Sequence, residues 1–180
     1  MDSLDLIRYA NIHSATKDPD VAHLVIGLNE VISSNEVRGL HVDVDSRDEG
    51  VGIRVGVEEG ARLAKPVHMC FGMLQEAGIQ KIDMDLEVGA EADINIVAHC
   101  VFPNAADVQH LMDARIRAAA HSRYRYFERH IHSDQGGVNV VPKARIELEE
   151  GARFHTDFEL LEGRVGAIDI DYEATCQANS

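Results

Sequence analysis

The chain has 180 residues, enough for one domain with a substantial core. Asp and Glu number 31 against 17 Lys and Arg, a net charge of −14 that argues against a phosphate-backbone partner. No apolar run reaches bilayer length and Met1-Asp2-Ser3 opens no signal peptide, so a soluble cytoplasmic chain without membrane or nucleic-acid partners is expected.

Residues 1–22 stand apart from the rest. Leu4, Ile7, Tyr9 and Ile12 are spaced like one face of a short amphipathic helix, and Asp18-Pro19-Asp20 ends it. The expectation is a helical cap over one end of a core spanning residues 23–180. Within the core, Val37 to Asp45 alternates with Leu40, Val42 and Val44 on one side and His41, Asp43 and Asp45 on the other. Gln80 to Val88 alternates strictly, with Ile82, Met84, Leu86 and Val88 inward. Ile94, Ile96, Ala98, Cys100 and Phe102 share a face, and Val97, His99 and Val101 share the other, so both faces there are expected to be partly covered. Residues 105–116 suit a helix or a strand by periodicity, and the register of the neighbouring segments favours a strand.

The stretch from Gly137 to Cys176 reads as three strands with Val138, Val140, Ile146, Leu148, Phe154, Phe158, Ile168 and Ile170 buried. Glu147, Asp157, Glu159 and Asp169 take the wet face. The phrase Val57-Glu58-Glu59-Gly60-Ala61-Arg62-Leu63 returns as Leu148-Glu149-Glu150-Gly151-Ala152-Arg153-Phe154, with weaker copies between. Aligning the copies on residues 60, 89, 120 and 151 gives steps of 29, 31 and 31. A strand-and-turn repeat of this length predicts an all-β right-handed β-helix, a β-solenoid with a short N-terminal helix. An ordinary sandwich with recurrent Glu-Gly turns is the alternative.

Ten histidines and three cysteines raise the question of a metal site. His130 and His132 sit on one strand face, the spacing with which a cupin opens its metal site, so a metal-dependent cupin-like enzyme is one reading. Solvated strand histidines are the other, because His155 is out of register for the rest of a cupin set. Three cysteines without a CxxC pair make no disulfide framework and fit a reducing compartment. Cys100 and Cys176 fall on inward parities, whereas Cys70 precedes Gly72 near a turn and is expected to be more accessible. No phosphate-binding glycine loop, nucleophile elbow or HExxH motif is present.

Several phrases then resemble the SufB/SufD family of iron–sulfur cluster assembly proteins. They are Pro66-Val67-His68-Met69-Cys70-Phe71-Gly72, Ala98-His99-Cys100-Val101-Phe102-Pro103-Asn104-Ala105, Gly136-Gly137-Val138-Asn139-Val140-Val141-Pro142-Lys143-Ala144, and Glu162-Gly163-Arg164 onward to Glu173. The resemblance implies a β-helical scaffold subunit, not an enzyme, that works with a SufC-type ATPase and a SufB/SufD-type partner. An iron–sulfur cluster is implied for the full complex and none for this chain alone. Cys70 falls near the position implied for sulfur acceptance, although the family's Gly-Cys-Ser-Ala-Pro setting is missing. Later strands, a Cys- and His-bearing segment and a C-terminal helical region implied by the family do not follow here, so the chain reads as truncated or minimal. Alone it is expected neither to hold a stable cluster nor to grip the ATPase strongly. Its last strand, Ala167 to Cys176, is expected to join a homodimer, since a bare strand edge is a template for pairing.

Overall fold

The computed structural model describes residues 4–180. A short helix α1 (Asp5–Tyr9) and a 3₁₀ turn (Ala15–Lys17) precede thirteen strands. The first four are β1 (His23–Gly27), β2 (Glu30–Asn35), β3 (Leu40–Arg47) and β4 (Gly50–Val57). Next come β5 (Val67–Gly72), β6 (Ala77–Val88), β7 (Asp93–Phe102), β8 (Asp107–Ala118) and β9 (Arg123–His132). The chain finishes with β10 (Val138–Leu148), β11 (Arg153–Glu162), β12 (Ala167–Ile168) and β13 (Asp171–Cys176). From β5 to β12, successive strands alternate between two sheets. One sheet runs β11-β9-β7-β5-β1-β2 and the other β12-β10-β8-β6-β4-β3, with β13 also on β10. The result is a β-solenoid of about four turns, as the repeat predicted. Of the ambiguous residues 105–116, those from 107 onward lie in strand β8.

Register explains why the alternation was so clean. Ile94 stands over Tyr124 and Tyr124 over Phe154 in the first sheet, while Met84, Ala114 and Ala144 stack in the second. Each coil therefore repeats the parity of the last, and even-numbered side chains from β6 to β10 line one continuous interior. Odd positions face outward, where Arg115 reaches Asp85 at 2.7 Å and Arg117 reaches Glu87 at 3.1 Å. Opposite charges on adjacent coils thus offset part of the repulsion in a strongly acidic chain.

The turn repeat differs from the sequence alignment. Left-handed residues close the turns at Gly60, Glu91, His121 and Gly151, with φ of 67°, 57°, 59° and 68°. Their amides form a ladder, Gly60 N–H to Ala90 O, Glu91 N–H to Ala120 O and His121 N–H to Glu150 O. Gly89 is therefore not the counterpart of Gly60. It is small because a Cβ there would meet the backbone of Glu58 and Glu59 in the coil below, within 2.8 Å. The glycine was the visible signal, but two turns use ordinary residues in the same conformation.

Helix α1 does not cover an end of the stack. Leu6, Ile7, Ala10 and Ile12 pack on Val25, Cys70 and Val101, the outward residues of the first sheet. This explains why both faces of β7 are apolar. The end of the stack is instead closed by two antiparallel hairpins, β1–β2 and β3–β4, which turn β2 and β3 into the outermost strands. At the other end the expected burial is incomplete. Phe154 and Phe158 are half-buried, Ile168 and Ile170 are 44% and 46% exposed, and Cys176 is exposed. Ile168 keeps the register of buried Val140 and Cys176 that of Leu148, whereas Ile170 lies between the two strands, and among the described residues no strand stacks over β12 and β13. The expected single last strand is also broken, since β12 and β13 pair separately with β10 at Asn139–Val140 and Lys143–Leu148.

Candidate metal centre in the solenoid core

Strand β9 sends Tyr124, Tyr126, Glu128, His130 and His132 into the interior, because all five share one parity. Three of these are strongly polar in a space lined mostly by apolar side chains. The coil beneath places Cys100 directly under His130, Ala98 under Glu128 and Phe102 under His132. The facing sheet contributes His110 from β8, set between Gln80 and Val140. Small Ala98 leaves room for the Glu128 carboxylate, which is only 2% exposed.

The polar groups form a chain. Glu128 Oε1 lies 2.7 Å from His130 Nε2, and His130 Nδ1 lies 3.0 Å from His132 Nε2. His132 Nδ1 is 3.3 Å from the Arg164 carbonyl, which can only accept. His132 therefore carries its proton on Nδ1 and accepts at Nε2 from His130 Nδ1–H. One proton then remains to be shared between Glu128 and His130. Cys100 Sγ–H points at the same carboxylate oxygen from 4.0 Å.

His110 stands outside this chain. It is 1% exposed, and neither ring nitrogen has a hydrogen-bond partner. Phe102 and His130 flank its ring at centroid distances of 5.0 and 5.9 Å. One His110 nitrogen, the Cys100 sulfur and a Glu128 oxygen all lie within 4.8 Å of one another. Burial sets the electrostatics. It holds His110 well below the ordinary histidine range, with His130 and His132 adding to the effect. It pushes the Cys100 thiol well up, and the adjacent Glu128 carboxylate adds to that shift. Burial likewise takes His132 down to about 4.

No protein-family model matches the chain. An iron–sulfur cluster assembly SufBD family protein of Methanocaldococcus jannaschii is 26% identical over 178 residues, covering 96% of this chain and 55% of its own length. Another of the same description from Pyrococcus horikoshii is 28% identical over 151 residues, covering 84% of this chain and 46% of its own. The chain resembles the SufBD family along most of its length. It spans about half the length of the curated relatives it matches.

The expectations carried by the SufBD resemblance meet the geometry unevenly. Cys70 is not accessible. It is fully buried beneath α1, and burial pushes its thiol up to about 12. A thiol held protonated under a helix is a poor nucleophile until that cover moves. His130 and His132 are not solvated strand histidines, being 0% and 5% exposed. Nor do they make a cupin site, which is built on an antiparallel jelly roll, whereas these strands stack in parallel. Their facing nitrogens bond each other. His68 and His99 also pair, Nδ1 to Nε2 at 3.1 Å, on the outward face of the first sheet and away from the core cluster.

Glu128 and His110 were missed as candidates. The signal was present in parity, because Glu128 continues the inward series Tyr124, Tyr126 and precedes His130 in it. A register step from 100 to 130 also brings Cys100 and His130 together. What no spacing shows is that β8 faces β9 across a narrow interior.

Proposed function

We propose that the chain is a β-helical scaffold subunit of iron–sulfur cluster assembly, working in a cytoplasmic complex with a SufC-type ATPase and a SufB/SufD-type partner. The observation that carries the reading is the similarity to a SufBD family assembly protein over 96% of this chain. The β-solenoid supports a scaffold, because a stacked core presents long rigid edges rather than a substrate cleft. A role without turnover of its own fits a site whose polar groups are all enclosed. No helix among the described residues is long and apolar enough to cross a membrane. The apolar final coil is proposed to pair with a second copy of this chain.

The test is anaerobic co-expression of the tagged chain with the SufC-type ATPase and the SufB/SufD-type partner. Both partners should be retained through affinity and size-exclusion steps. Reconstitution with ferrous iron and sulfide should give a visible cluster chromophore that survives desalting in the complex and not in the separated chain. Absence of both retained partners and chromophore would sink the reading.

A further inference from the structure

Within the core, an imidazole with both nitrogens unpartnered is an unusual cost. A buried polar group left without a hydrogen bond keeps its full desolvation penalty. His110 incurs this twice while a thiol and a carboxylate lie within 4.8 Å of one of its nitrogens. We propose that Cys100, His110 and Glu128 bind one divalent transition-metal ion, zinc or ferrous iron, inside the solenoid.

The donor set selects the ion class. Sulfur and imidazole nitrogen favour zinc or iron over magnesium or calcium, which take oxygen shells. Bonds of about 2.0–2.3 Å put the ligand atoms of a tetrahedral ion about 3.5 Å apart. The 4.0 Å from Cys100 Sγ to Glu128 Oε1 is close to that separation. Charge fits as well. A divalent ion offsets the charges of its thiolate and carboxylate ligands, which an apolar interior would otherwise leave poorly compensated. On binding, the Cys100 thiol gives its proton to solvent as the S–metal bond forms. His130, held at 2.7 Å from Glu128 and tied through His132 to the Arg164 carbonyl, is the positioning residue that aims the carboxylate. Three protein ligands leave a fourth position for water or another small donor.

The experiment uses the isolated full chain, purified anaerobically, loaded in parallel with zinc, ferrous iron or cobalt(II), and desalted. Elemental analysis should find one equivalent of zinc or iron per chain, and competition between the two shows which binds more tightly. The cobalt form should show a thiolate-to-cobalt charge-transfer band. X-ray absorption on the zinc form should show one sulfur scatterer with nitrogen and oxygen. Cys100→Ser and His110→Gln should each weaken retention at least about tenfold, while Cys70→Ser and His99→Gln leave it unchanged. A wild-type cobalt spectrum without the thiolate band overturns the proposal even if the variants fail to fold. Metal retained by Cys100→Ser, or lost in His99→Gln instead, overturns it too.

Discussion

Two glycines show how differently one residue type is used. Gly137 has φ +86°, and a Cβ there would run into the carbonyl of Ala106 in the neighbouring coil. Its own carbonyl accepts from Val108 N–H at 2.7 Å, so the backbone has no room to retreat. Gly137→Ala should lower stability by about 3 kcal/mol or more, combining left-handed strain with backbone overlap. Gly60 has φ +67° and open space around the added carbon, and Glu91 and His121 occupy equivalent turns. Gly60→Ala should cost only about 1 kcal/mol. Urea midpoints at constant slope read both changes, and equal losses would refute the distinction. His132 sets a second expectation at this scale. Burial and nearby His130 hold it to about 4 in the folded chain, against an ordinary 6.5. Its surroundings are His130, the Phe102 ring and the Arg164 carbonyl. The unfolded chain therefore takes up the proton first as pH falls. This contribution to stability is full above about 6.5, is lost between about 6.5 and 4, and is constant below that. Its size is on the order of 3 kcal/mol. Urea midpoints of the metal-free chain across this window should fall, and His132→Gln should flatten the slope. An unchanged slope would show that His132 is not held neutral.

Among elements, α1 matters most for reactivity, because its Leu6 and Ile7, with Ala10 and Ile12 just beyond it, pack on the outer face at Val25, Cys70 and Val101. Leu6 is 1% exposed at that contact, and truncating it to Ala should cost about 2–4 kcal/mol or detach the helix locally. The native chain should show one fast-reacting thiol, Cys176, with Cys70 and Cys100 protected. Leu6→Asp should expose Cys70 to an alkylating reagent while Cys100, inside the stack, stays slow. Mass mapping of alkylated peptides over time checks the order. Fast modification of Cys70 in the unaltered chain would contradict the placement of α1.

For the whole molecule, the two ends of the stack are unequal. Hairpins β1–β2 and β3–β4 close one end, whereas Leu161, Ile168 and Ile170 on the final coil are 53%, 44% and 46% exposed. Apolar strand edges of this kind favour pairing with another chain. Sedimentation at micromolar concentration should find a dimer, and Ile168→Asp with Ile170→Asp should return it to monomer. A monomeric unaltered chain would remove the final coil as a self-association surface. The sequence by itself determined the coil, its repeat and its inward parity, because strand alternation has a period of two and a register step of 30 preserves it. The same parity already carried Glu128, His130 and His132 inward. Only the tertiary structure decided that α1 lies on a sheet face, that Cys70 is sealed beneath it, and that His110 meets Cys100 and Glu128. These depend on which faces oppose each other across the interior, a distance that no local pattern along one strand contains.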